Sequence, residues 1–185
     1  MTHGQFLQEL ARDDEIIAGR IDSRFVGPSM NPLSESQDYD PFFPSIGPAI
    51  TAGFRDYYRR ELGVEIDDEY VVMARAWTKW DWGHAQPGAN RETQTPFPNV
   101  LPDLAYAMKT NPGLGVLLQQ GYYDLATPYF HAQYYMRHLD IPAETRERIR
   151  VEYYEAGHMM YTHPPSMKAY REHLAGFIRD TDRLN

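Results

Sequence analysis

The clearest hydrophobic pattern lies in the last third of the chain. From Leu114 to Gln120 runs a nearly unbroken apolar stretch, Val116-Leu117-Leu118, which predicts a strand buried on both faces of a parallel sheet. A loop, Gly121 to Ala126, follows it. Thr127-Pro128 then predicts a helix start, with the threonine as cap and the proline as the first helical residue. Ala132, Tyr135, Met136 and Leu139 give this helix an apolar face, and Ile141-Pro142 end it. Ile149, Val151 and Tyr153 alternate with Arg150, Glu152 and Tyr154, predicting a second strand with one wetter face near the sheet edge. After a second loop, Glu155 to Tyr161, and the pair Pro164-Pro165, the residues Met167, Tyr170, Leu174, Phe177 and Ile178 recur at helical spacing. The resulting order is strand, loop, helix, strand, loop, helix.

Upstream the pattern is looser. Phe6, Leu7 and Leu10, then Ile16 and Ile17, predict a helix interrupted by the charged run 12–15. Residues 22–48 are rich in Pro, Ser, Gly and Asp and read as a long irregular segment, an uncommon length inside a compact domain. Ile50, Phe54, Tyr57, Tyr58 and Leu62 line one face of a helix predicted over 49–62, with Gly63 as its terminator. Tyr70 to Ala76 is short helix or strand, and residues 77–99 are irregular, with Trp77, Trp80 and Trp82 close together. Leu101, Leu104, Ala105 and Met108 fit a helix closed by Asn111-Pro112-Gly113.

With 185 residues, 24% of them charged and 42% apolar, the chain has the composition of a folded protein with a sizeable core. Its formal charge of −8 repels phosphate backbones and argues against general nucleic-acid binding. It has no cysteine, which excludes disulfides, thiolate zinc sites and cysteine nucleophiles. No apolar run approaches the ~18 residues of a membrane span. Met1 to Arg20, with Gln5, Gln8, Glu9, Arg12, Asp13, Asp14 and Glu15, does not read as a signal peptide, and the compartment stays open.

The element order itself carries chemistry. A strand-helix-strand unit of this length requires parallel strands, so both strand C-termini lie on one edge of the sheet. Open α/β sheets place their ligands at that edge. Asp124 lies just beyond the first strand and His158 just beyond the second, so an acid and an imidazole 34 positions apart meet at one rim. A carboxylate that accepts an imidazole N–H fixes the tautomer and stabilises the imidazolium formed when the ring acts as base. In α/β hydrolases the triad order is Ser, then Asp, then His, and Asp124 precedes His158 as that order requires.

At these loops the chain strongly resembles the serine carboxypeptidase family. The resemblance rests on Gly121-Tyr-Tyr-Asp-Leu-Ala-Thr-Pro128 and Tyr154-Glu-Ala-Gly-His-Met-Met-Tyr161. It is most specific over 114–178 and continues more loosely through Trp80-Asp81-Trp82-Gly83 and Phe25-Val26-Gly27-Pro28. It implies the fold class α/β, here the C-terminal part of an α/β-hydrolase core with its last parallel strands and flanking helices. Residues 1–99 would be part of a helical insertion and 100–185 part of the core. It implies Asp124 and His158 as catalytic residues, Met159 as a neighbour of the substrate side chain, and no cofactor. A cysteine-free chain is similar to a bacterial branch of the family.

One departure bears on activity. The family's serine sits on a Gly-x-Ser-x-Gly elbow upstream of the Asp. The six serines here are Ser23, Ser29, Ser34, Ser36, Ser45 and Ser166. Ser29 has Gly27 before it but Asn31 after it, and Ser45 has Gly47 after it but Phe43 before it. The expectation is therefore that the chain is the C-terminal part of a serine carboxypeptidase-like hydrolase. A peptide would be its substrate, an N-terminal serine-bearing part of the same protein its partner, and the isolated chain inactive. The alternative is a non-catalytic truncated hydrolase or an interaction module.

Blander roles stand beside these. Asp124 alone fits a turn or cap residue, and His158 alone a satisfied loop histidine. Met159 fits a gap filler equally well. The tryptophans fit aromatics that pin a long loop to the body, and His84 fits a loop residue. A metal site from His158, His163 and Asp124 ranks below the triad, and His131 and His138, two helical turns apart, do not easily share an ion.

Overall fold

A computed structural model describes residues 9, 11, 14–31, 39–65, 68, 70–72, 74–89, 93–94 and 98–182. The chain packs as two compact units, Met1–Trp80 and Asp81–Asn185. Among the described residues it is a mixed α/β protein with five α-helices and three two-stranded sheets, one of them parallel.

In the first unit Glu15 adopts a left-handed backbone, φ 53°. That conformation ends any helix, and the β-branched pair Ile16-Ile17 enters a strand instead. β1 (Ile16–Ala18) pairs antiparallel with β2 (Val26–Pro28), with Ile17 opposite Gly27 and buried. The helix expected through Ile16 and Ile17 is thus corrected to a hairpin, while Phe6, Leu7 and Leu10 lie outside the described residues. The segment 22–48 is also more ordered than its composition suggests. One Asp40 oxygen accepts the Arg20 and Ile21 N–H groups at 3.1 and 3.0 Å, and the other accepts the Phe42 N–H at 3.0 Å. This carboxylate joins the hairpin turn to the start of α1 (Phe42–Arg60). The helix begins seven residues before the expected position: Pro44 falls in the first turn, where N–H groups have no intrahelical acceptor, and the helix continues through Pro48 in its interior. Gly63, at φ 62°, reverses the chain beyond its end. Of the expected apolar face, Phe54 is half-buried against Tyr58 and Tyr70, but Ile50, Tyr57, Tyr58 and Leu62 are exposed. Trp77, in a single 3-10 turn at Ala76–Lys79, and Trp80 keep 57% and 61% of their surface exposed, so neither acts as a buried pin.

The second unit begins with the two-residue pair β3 (Gly83–His84) and β4 (Thr93–Gln94). His84 bonds Asp103 at 3.1 Å in the first turn of α2 (Leu101–Thr110). Met108 and Ala105 on α2 form the core with Leu139 and Ile141, against which Leu104, Leu114, Val116 and Ile149 pack. β5 (Val116–Gly121) then runs parallel to β6 (Ile149–Tyr154), from Val116 opposite Ile149 to Gly121 opposite Tyr154. The strand expected to be buried on both faces is only half-buried from Val116 to Gln120, and β6 is its one strand neighbour among the described residues.

The connection comprises α3 (Tyr129–Arg137) and a short α4 (Ala143–Arg146) that the sequence pattern does not predict. α3 stops at Arg137 rather than at Ile141. Residues two apart on a helix face nearly opposite ways, so Leu139 and Ile141 can both turn into the core only from an irregular segment. Arg148 fastens the start of β6. Its guanidinium donates to the carbonyls of Asn111, Pro112 and Leu114 at 2.8, 2.8 and 3.0 Å, and to that of Met108 at 2.8 Å. The Met108 carbonyl is one that the last turn of α2 leaves without a helical donor, and the other three lie in the segment that leads from the helix to β5. The chain closes with α5 (Pro164–Thr181), which packs on the face of the sheet that carries Gln119 and Tyr154.

Candidate active site

The parallel register ends with Gly121 beside Tyr154, and the two loops continue side by side from there. The Tyr122 N–H donates to the Tyr154 carbonyl and the Tyr123 N–H to the Ala156 carbonyl, both at 3.0 Å. Gly121 lies so close to the Ala156 and Gly157 carbonyls that a methyl group on its Cα would overlap both. A side chain there would push the loops apart, which gives this glycine a steric rather than a conformational role.

Asp124 is 3% exposed, and its two oxygens have separate tasks. Oδ1 accepts the Ala126 and Thr127 N–H groups at 2.8 and 2.9 Å, closing the turn that leads into α3. Oδ2 accepts from His158 Nδ1 at 2.8 Å and from the Thr127 hydroxyl at 2.7 Å. The turn-residue reading and the imidazole-partner reading of Asp124 therefore both hold, one on each oxygen. A carboxylate only accepts, so Nδ1 carries the proton and the neutral ring keeps its lone pair on Nε2. The His158 side chain is 46% exposed, against 4% for that of Asp124, so one end of the pair is held and the other is open.

The structure thus brings Asp124 and His158 together. Met159 follows, half-buried, and its carbonyl accepts the Thr162 N–H and hydroxyl at 3.0 and 2.7 Å, closing the 3-10 turn Met160–Thr162. His163 turns elsewhere, with Nδ1 at 2.7 Å from the buried Ser166 hydroxyl. His138 stacks on Tyr134 and bonds that residue's carbonyl. Among the described residues no group of three or more His, Asp or Glu side chains is placed to hold a metal ion. Ser34 and Ser36 lie outside the described residues. Among the described residues no hydroxyl bonds His158 Nε2, and Ser45 donates to the Pro41 carbonyl at 2.7 Å.

Two features escaped the sequence reading. Thr127, expected as the helix cap before a first helical Pro128, gives its hydroxyl to Asp124, while Pro128 takes the cap position ahead of Tyr129; the signal is the spacing Asp-x-x-Thr. Under α5, Gln119 donates to the Tyr154 hydroxyl at 2.8 Å, and that hydroxyl lies 3.0 Å from His173 Nδ1, with Glu152 3.5 Å from the same nitrogen. Burial pushes the Tyr154 phenol above its usual value, against the opposing pull of Gln119. No alternation pattern shows such a network, because Tyr154 falls on the face read as wetter.

Compared with protein-family models, with curated proteins and with solved structures, the chain finds no match. Among the described residues no helix is long and apolar enough to cross a membrane.

Proposed function

We propose that Asp124 and His158 are the acid and base of a Ser-His-Asp triad in a serine carboxypeptidase-like α/β hydrolase, with the serine supplied from outside residues 1–185. The observation that carries this reading is the 2.8 Å contact between His158 Nδ1 and Asp124 Oδ2 at the adjacent ends of two parallel strands. In the reaction the serine hydroxyl passes its proton to Nε2 as its oxygen attacks the last peptide carbonyl. Asp124 holds the imidazolium so formed, and the ring returns the proton to the leaving amine. Met159, next in sequence, would border the substrate side chain. A peptide with a free C-terminus is the substrate, and no cofactor takes part.

The test is hydrolysis of blocked dipeptides by the protein expressed from its native gene, compared with Asp124→Asn and His158→Ala. Each variant is expected to lower kcat by about 10⁴-fold with KM little changed. Turnover unchanged by either substitution, or absent in the native protein, refutes the reading and leaves the non-catalytic module. A fluorophosphonate probe should label the native protein but not residues 1–185 alone. Stoichiometric labelling of those residues alone would place the nucleophile within them.

A further inference from the structure

We infer that Thr127 is a positioning residue of this site: its hydroxyl, held on Asp124, reinforces the tautomer and orientation that Asp124 gives His158. The inference rests on the triad reading for its catalytic consequence, but its geometry stands independently. Thr127 Oγ lies 2.7 Å from Asp124 Oδ2 and 3.2 Å from His158 Nδ1. The three groups form a closed triangle, completed by the 2.8 Å contact between Nδ1 and Oδ2.

A hydroxyl has one proton to give. Directed to Oδ2, that proton leaves the oxygen lone pairs facing Nδ1. The Nδ1–H is then shared between the carboxylate and the threonine oxygen. The opposite tautomer would set the Nδ1 lone pair against the carboxylate. It could be relieved only by the threonine proton leaving Oδ2, so one of the two bonds is lost either way. The hydroxyl therefore adds to the preference that Asp124 creates for a lone pair on Nε2, where the serine proton must arrive. It also ties the ring to the turn. The Thr127 N–H is on Oδ1 while its side chain is on Oδ2, so one residue grips both carboxylate oxygens. The partly exposed His158 ring, 46% open and held by Asp124 at Nδ1, gains in the Thr127 oxygen a second polar contact on the same nitrogen.

The readout is ¹⁵N NMR of the His158 ring in the native protein, which measures the tautomer directly without substrate. Thr127→Val is expected to shift the ratio of tautomers about 2- to 10-fold toward protonated Nε2, the effect of one hydrogen bond, and Thr127→Ser is expected to restore it. In the native protein the valine variant should lower kcat by a similar factor at unchanged KM, again rescued by serine. A valine variant that melts at a lower temperature but keeps the wild-type tautomer ratio overturns the inference, since a purely structural cap behaves that way. Should the valine variant not fold, Thr127→Ala decides in its place. The two readings fail separately. If Asp124→Asn and His158→Ala retain turnover while Thr127→Val shifts the tautomer, the triad falls and the positioning stands. If the tautomer is unmoved while those two variants are inactive, the triad stands and the role of Thr127 falls.

Discussion

At the scale of single residues the site depends on contacts too close to tolerate another atom. Gly121 leaves no room for a side chain beneath the Ala156 and Gly157 carbonyls. Gly121→Ala should cost about 1–3 kcal/mol of stability, the usual penalty for overpacking, and should separate the two loops. Thermal melting checks the first effect. The NMR signal of the His158 Nδ1 proton, expected to broaden or vanish, checks the second. An alanine variant with wild-type melting and an intact proton signal would mean that the loops yield freely. Asp124 and His158 are legible as a pair in the sequence, because their position after two parallel strands follows from element order. Thr127 is not. A threonine before proline has an equally good local use as a cap, and the hydroxyl's choice of Asp124 is settled only in three dimensions.

At the scale of elements, β5, β6 and α5 form in the order that the periodicity indicates, while the burial of their faces departs from it: β5 is only half-buried, and Tyr154, on the face read as wetter, is buried. The errors lie where a local feature outweighs periodicity. Glu15 in a left-handed conformation turns an expected helix into a hairpin, and a buried Leu139 and Ile141 end α3 early. Tyr154 joins the strand to α5, and its titration is the measurable trace of that packing. Because burial raises its proton affinity, the folded chain keeps the phenol proton at pH values where the unfolded chain releases it. The resulting stabilisation is fully present below the ordinary tyrosine value of 10.0 and is lost as pH rises through the higher folded value. Melting temperature should therefore fall above about pH 10, and less steeply in Tyr154→Phe. Equal slopes for both proteins would place the alkaline loss elsewhere, with Tyr153, also raised by burial, the next group to substitute.

At the scale of the molecule much apolar surface faces outward, including Ile50, Tyr57, Leu62, Trp77, Trp80, Phe130 and Ile178. Strand β5 has a single partner among the described residues. Faces of this kind promote association. Residues 1–185 alone should self-associate with rising concentration in sedimentation velocity, against the opposing net charge of −8. A monomer at every concentration would argue for an independent module instead. How much of the architecture was readable follows the same division. The second unit has alternation and helical spacing, whereas the first has its hairpin and α1 joined by one carboxylate, Asp40, which no periodic pattern announces.

The divided duties of Asp124 lead to a last consequence. An amide at position 124 would keep an oxygen for the two backbone donors of the turn, so the loop would close as before. Its NH₂, however, would face the imidazole, which could answer only by yielding its own hydrogen from that side and carrying N–H on Nε2, where the proposed triad requires a base. Architecture and reactivity at this spot are thus separable by exchanging a single oxygen for nitrogen. A relative carrying Asn there would keep this shape and, on the proposed mechanism, lose its base.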